Sequence, residues 1–254
     1  MINDRNPLIT NLIKITLLIS TFIASVPLLW LLNDFQISNV QSILKFQDGI
    51  FLDLIGRTSI FTLTTLLISV MTSITAGFAI AVLDVPFRKL LLFATLLTML
   101  IPITALAMPL YVMLDRMGLN NNLLGIILAS SYFPFGTFLA YLYFSSVLHQ
   151  DLIGTGRIDG LGDFGLYLRI GLPLAKNLIF VITFFAFLTS WTSNYLPRIL
   201  LTDPYTSILA VGIEPFLAQG WSEAALLMVA PPLVLYLASQ RTIARGIFSG
   251  AVRG

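Results

Sequence analysis

Apolar residues in this chain gather into long runs and do not alternate with polar ones. Six runs, near 15–32, 58–83, 90–114, 123–147, 178–196 and 224–239, are candidates to cross a membrane. A hydrocarbon core takes about 20 residues of helix, so the pattern predicts an all-α polytopic membrane protein with six transmembrane helices. Arg5 and Lys14 precede the first run as they would in a signal peptide. No small-x-small cleavage site closes it and further runs follow, so it reads as an uncleaved helix. Pro27, Pro102, Pro109, Pro134, Pro231 and Pro232 interrupt the runs. A proline in a span frees a carbonyl that neighbours or cavity water must satisfy. Kinked helices around a wet path and ordinary packing distortions both fit.

Composition agrees with the pattern. Of 254 residues, 57% are hydrophobic and 10% charged, against roughly 25% charged in a soluble domain. A formal charge of +2 is too small to suggest nucleic acid. There is no cysteine, which excludes disulfides, thiolate metal sites and cysteine nucleophiles. The single histidine, His149, leaves little for a metal site or catalytic triad, and neither a catalytic residue nor a cofactor is expected.

Charge also orients the spans. With six of them both termini share a side, and that side holds Arg5, Lys14, Arg88, Lys89, Arg157, Arg169, Lys176, Arg241, Arg245 and Arg253, ten of the 14 basic residues. Lys45, Arg57, Arg116 and Arg198 fall opposite, with seven of the 12 acidic residues. Basic residues favour the cytoplasm, so both termini and the segment 148–176 are expected to be cytoplasmic. Trp30 and Trp221 then lie near the outer interface, where amphipathic rings anchor. No charged residue falls near the middle of a span, which argues against a proton-driven secondary transporter.

The segment 148–176 is polar and glycine-studded, far longer than an ordinary helix connection of a few residues. Gly160-Leu161-Gly162-Asp163-Phe164-Gly165 formally matches G-x-G-x-x-G, but the dinucleotide fingerprint needs a preceding strand and here an apolar run ends upstream. No phosphate-binding G-x-x-x-x-G-K-[ST] occurs, so any nucleotide energy comes from another subunit. Arg157-Ile158-Asp159-Gly160, followed after a spacer by Ile170-Gly171-Leu172-Pro173-Leu174, instead resembles the cytoplasmic "EAA" loop of permease subunits of ATP-binding-cassette importers. Glycine at the turn tolerates positive φ. The family's Glu-Ala-Ala is replaced by Gly154-Thr155-Gly156. Each glycine costs a helix interior about 1 kcal/mol relative to alanine, so the first loop helix is expected to be weak alone. Asp151, one turn earlier, is the candidate substitute for the missing glutamate.

The resemblance runs through most of the chain. I-P-I-T-A-L-A-M-P-L-Y and M-G-L-N-N-N-L-L-G within 99–125, then Phe135-Gly136-Thr137-Phe138-Leu139, are similar to carbohydrate-type importer permeases of the smaller, MalG-like kind. So are the stretch from Ser190 to Pro197 and the tail from Gly246 to Gly254. Only the outer connection between the first two runs is short for the family. The resemblance implies the type I importer permease fold as a single domain over 1–254, in a bacterial or archaeal plasma (inner) membrane. It implies as partners a second, different permease (MalF-like), two ABC ATPase subunits, an extracytoplasmic solute-binding protein and the lipid bilayer.

The coupling residues it implies are Asp151, Arg157, Ile158, Asp159, Gly160, Leu161, Leu172 and Pro173, in a lever spanning 152–164. Gly246, Gly250, Arg253 and Gly254 of the tail 241–254 would lie against the ATPases; a basic disordered end is the alternative. Asp203, Gly212, Glu214 and Pro215 would meet the binding protein, although a plain solvated loop fits equally. Ser130, Ser131, Tyr132, Trp191, Ser193, Asn194 and Tyr195 offer the aromatic faces and hydrogen-bonding groups that sugars use. Packing is the competing role for these residues, and in the related maltose system the partner carries the sugar site. Oligosaccharides, trehalose-like disaccharides, glycosylated polyols and glycerol phosphodiesters remain open as solutes.

Overall fold

The computed structural model describes residues 7–33, 35–203 and 206–251, and all regular structure among them is helical. A long helix α1 (Pro7–Asn33) precedes the short amphipathic α2 (Ile37–Lys45) and the 33-residue α3 (Ile50–Val82). Then come α4 (Arg88–Leu100), α5 (Ile103–Arg116), α6 (Leu123–Ser130) and α7 (Pro134–Val147). The loop contains α8 (Gln150–Ile158), α9 (Asp163–Leu166) and α10 (Leu172–Leu174), the last two joined by a π-turn over Tyr167–Gly171. The chain continues through α11 (Lys176–Trp191), α12 (Tyr195–Leu200), α13 (Leu209–Gly212), α14 (Glu214–Ala218) and α15 (Glu223–Ala251).

Three stretches, Ile37–Val82, Leu123–Val147 and Glu223–Gln240, are each long and apolar enough to cross a membrane, and two bent pairs raise the number to 5. The remaining expected run, 15–32, lies in α1, whose described apolar part is Thr10–Val26. Three runs are less simple than the pattern predicts. The run 178–196 leaves the helix after Trp191 and resumes it only at Tyr195. The run 90–114 is not one helix: α4 and α5 meet at a bend of 103°. Pro102 donates no N–H and pushes Ile101 to extended backbone (φ −76°, ψ 118°), which ends α4. The run 123–147 is interrupted between α6 and α7 at Ser131, Tyr132 and Phe133, with Pro134 at the first turn of the new helix. Pro109, Pro231 and Pro232 lie inside helices.

The break between α6 and α7 is repaired by α3. Ser69 Oγ donates to the Ser131 carbonyl at 2.8 Å, and Ser73 Oγ donates to that of Phe133 at 3.2 Å. Carbonyls released inside a membrane span need such donors. One helical turn further along, Gly77 lies on α7: a Cβ there would sit 2.3 Å from Ala140 Cβ and 2.8 Å from Tyr141 N. At Gly136, in turn, a Cβ would sit 2.7 Å from Ser73 Oγ. Ser69, Ser73 and Gly77 on α3 thus face Gly136 and Ala140 on α7, the small-xxx-small pattern that lets helices in lipid approach closely.

Apolar clusters pack around both ends of α3. At the loop end Ile74, Phe78, Ala140, Phe144, Leu148, Leu166, Leu178 and Ile182 pack together. Elsewhere Ile43, Phe51, Leu54, Trp191, Leu209, Phe216 and Ala224 form a second cluster. Beside it, Glu223 is fully buried, and its Oε1 accepts from Gln36 N at 2.8 Å and Asn39 Nδ2 at 3.0 Å. This carboxylate at the start of α15 therefore holds the start of α2.

Candidate functional site

The segment 148–176 forms a helix–turn–helix. The first helix, α8, ends in a Schellman turn: Leu161 N donates to the Gly156 carbonyl at 2.9 Å and Gly160 N to that of Arg157 at 3.0 Å. Gly160 supplies the left-handed residue this turn requires, at φ +80°. Asp159 is the C-cap, and an ion pair between Arg157 and Asp163 spans the turn. Both partners are well exposed, so the pair orders the turn more than it stabilises the fold.

Packing sorts the residues singled out in this loop. Leu161 turns inward against Gly156 and Gly165, and Leu172 joins the loop-end cluster. Asp151, Arg157, Asp159, Gly160 and Pro173 are exposed. Ile158 is 88% exposed and Phe164 72%, so the turn carries two bare apolar side chains outward. Asp151 lies in the first turn of α8, where a carboxylate also complements the helix dipole.

Gly154 and Gly156, which stand where the family has its glutamate and its second alanine, differ in surroundings. A Cβ at Gly154 would meet nothing within 4 Å. One at Gly156 would lie 2.7 Å from Leu166 Cδ2 and 3.0 Å from Ile170 Cδ1, because the second loop helix packs directly on it. Gly154→Ala is therefore expected to stabilise α8 by about 1 kcal/mol, slowing hydrogen exchange of its amides roughly fivefold. Gly156→Ala should gain less, since Leu166 and Ile170 must shift first. Equal slowing by the two variants would contradict this packing.

The membrane-path candidates separate into two groups. Trp191 is buried, stacks on Phe187 at 5.6 Å and donates from Nε1 to the Met228 carbonyl at 2.9 Å, a packing arrangement. Asn194 donates to the Ala210 carbonyl, and Ser131 is buried with its hydroxyl on the Ile127 carbonyl. Ser130 and Ser193 are half-buried, and Tyr195 is exposed. Tyr132 differs from the others. Its hydroxyl lies 3.2 Å from Thr98 Oγ1, and these two residues are shared by two cavities of about 410 Å³ each. One cavity runs along α5 past Leu106, Leu110 and Met113; the other is lined by Thr72, Thr95 and Thr137.

In the connection after α12, Arg198 pairs with Glu214 at 2.6 Å. The guanidinium's hydrogen bond and charge hold the Glu214 carboxyl below its ordinary value. A depressed carboxyl contributes order above its unfolded value and loses it as pH falls through the lower folded one. Protection of α13 and α14 amides is thus expected to be constant from pH 8 to 5 and to fall only under about pH 4. Glu214→Gln should abolish that step; its persistence would assign the transition to another group. Asp203 is exposed, Pro215 sits in the first turn of α14, and Gly212 lies against Leu54, where a Cβ would be 2.5 Å from Cδ2. In the tail, Gly246 and Gly250 fall within α15, while Arg253 and Gly254 lie outside the described residues.

Several organising residues were not anticipated. Asn121, at φ +53°, accepts from Thr202 N at 2.6 Å and Asp203 N at 3.2 Å, tying the connection after α5 to the one after α12. Tyr143 and Tyr167 bond the loop to the spans. A run of hydroxyl residues and glycine at helical spacing, Thr58, Thr62, Thr65, Ser69, Ser73 and Gly77, was the available signal for α3.

Comparison with known proteins gives consistent matches. Residues 73–249 match the family described as binding-protein-dependent transport system inner membrane component. The diacetylchitobiose uptake system permease protein NgcG of Streptomyces coelicolor is 28% identical over 76% of this chain and 67% of its own length. The arabinooligosaccharides transport system permease protein AraQ of Halalkalibacterium halodurans is 23% identical, over 82% of this chain and 76% of its own. The sn-glycerol-3-phosphate transport system permease protein UgpE of Salmonella typhi is 28% identical, over 69% of this chain and 65% of its own length. In fold, a chain of a bacterial ABC transporter involved in import of the acidic polysaccharide alginate superposes with a TM-score of 0.76. It covers 95% of this chain and 99% of that one at 16% identity.

Proposed function

The chain belongs to the family of binding-protein-dependent transport system inner membrane components, and from that membership we propose that it is the smaller, MalG-like permease of an ATP-driven importer for a sugar or sugar-like solute. The observation that carries the coupling role is the Schellman turn at Gly160, which presents Ile158 and Phe164 bare beside Asp159. A soluble surface has little reason to expose two large apolar side chains on one rigid turn, whereas a docking knob does. In this reading the loop sits in a cleft of an ABC ATPase on the cytoplasmic side, and a second permease completes the path. An extracytoplasmic binding protein then delivers solute to the opposite face, near Glu214.

The cargo follows from the relatives and the lining. Two of the relatives named above take up oligosaccharides by name and one takes up glycerol phosphate. The cavities that share Thr98 and Tyr132 contain hydroxyls and apolar groups but no ionisable residue other than that tyrosine. That lining suits a neutral polyhydroxylated solute better than an anion, which would need a compensating charge. The test is purification of the chain with its membrane partners, followed by assay for ATP hydrolysis. Hydrolysis raised by the solute-loaded binding protein is expected. Copurification without any ATPase subunit would overturn the importer reading.

A further inference from the structure

We propose that Tyr143 and Tyr167 are positioning residues that fasten the loop to α3 and α7 and so convert movement of the loop into movement of the spans. This inference rests on the importer reading. Two observations carry it. The loop's second helix, Asp163–Leu174, meets α11 at a bend of 78°. At the elbow the Leu174 carbonyl is held by Tyr143 Oη, which donates across from α7 at 2.6 Å. Two helical turns back, at the start of the π-turn, Tyr167 Oη lies 3.0 Å from Thr75 Oγ1 on α3. The same loop helix is therefore bonded at one position to α3 and at another to α7.

Between the two bonds lies an aromatic joint. Phe78 of α3 packs edge-on against Phe144 at 5.3 Å and tilted against Tyr167 at 5.2 Å. Tyr143 in turn meets Phe144 at 5.7 Å. Gly171 leaves room for the Phe78 ring, since a Cβ there would lie 2.9 Å from it. The rings fill space and resist compression, but they do not prevent sliding. The two hydroxyls supply directional ties that do. A π-turn is a rare local element found mostly at functional sites, and Tyr167 is its first residue. The ties therefore fix the loop to the same two helices, α3 and α7, whose close packing forms the core of the chain.

The experiment uses the full complex reconstituted in lipid vesicles, with its cognate binding protein, as purified, as the stimulating probe. Tyr143→Phe with Tyr167→Phe removes only the two hydroxyls. Unstimulated ATP hydrolysis is expected to stay within about twofold of the unaltered complex, while stimulation by the binding protein falls at least tenfold. Thr75→Val, which breaks one tie from the other side, should reduce stimulation as Tyr167→Phe does, and the two together should be no worse than either alone. Stimulation retained within twofold in the double-phenylalanine variant overturns the proposal. A parallel fall of unstimulated and stimulated hydrolysis, with loss of the ATPase subunits, also overturns it and assigns the tyrosines to folding. If the unaltered complex itself shows no stimulation, it is the importer reading that fails.

Discussion

Gly77→Ala is expected to destabilise the chain by about 3 kcal/mol, the upper part of the range for an overpacked core, and Gly77→Leu to leave no folded protein in the membrane. The added Cβ would sit 2.3 Å from Ala140 Cβ and 2.8 and 2.9 Å from backbone atoms of Tyr141 and Ala140. A flexible side chain could move aside, but helix backbone cannot, so α3 and α7 must part. Parting them stretches the bonds from Ser69 and Ser73 to the Ser131 and Phe133 carbonyls. Those carbonyls then lack donors in a medium that offers no water. The matching control is Gly56→Ala on the same helix, where a Cβ meets nothing within 4 Å. Alanine's propensity there should be neutral or favourable by up to about 1 kcal/mol. Thermal unfolding of detergent-purified variants, followed by circular dichroism, reads both. A Gly77→Ala variant as stable as Gly56→Ala would show that the two helices are not packed as described.

Ile158→Asp with Phe164→Asp should abolish association with the ATPase while leaving the chain folded. Both side chains are largely exposed, so the fold loses little by their replacement. If the turn docks in a groove, burying each contributes about 1.5–3 kcal/mol, and a carboxylate in their place adds a desolvation penalty. Losing both means at least about 3 kcal/mol, or more than a hundredfold in affinity. Copurification of the ATPase subunits, set beside the unfolding temperature of the permease alone, separates docking from folding. Retained copurification would remove these residues from the interface.

The α3–α7 contact and the loop turn were unequally legible in the sequence. The loop was readable because its determinants are local: Asp159-Gly160 encodes a turn, and Leu172-Pro173 marks the end of the second loop helix. Hydropathy located the apolar runs but not their internal breaks, because a run can stay apolar through a bend such as that at Ile101-Pro102. Gly156 was legible only as a weak point in a helix. That it admits Leu166 and Ile170 depends on a helix ten residues later folding back, which no local pattern encodes. The same holds for Glu223, whose partners at Gln36 and Asn39 are 187 and 184 residues away. Trp191 and Asn194 carried composition suited to a sugar path, yet their hydrogen bonds go to backbone carbonyls of Met228 and Ala210. Residue type alone does not distinguish a lining residue from a packing one.

Photo-crosslinking from the Gly160 turn tests most directly whether that turn is seated in an ATP-binding subunit. The natural chain has no cysteine, so a cysteine at position 158 or 164 can carry a single benzophenone in this subunit, with position 63 on α3 as the membrane-facing control. Irradiation of native membranes is predicted to join 158 and 164 to the ATP-binding subunit, and 63 to lipid or another membrane chain. Crosslinks from 158 and 164 that reach only lipid or other permease chains would contradict the account.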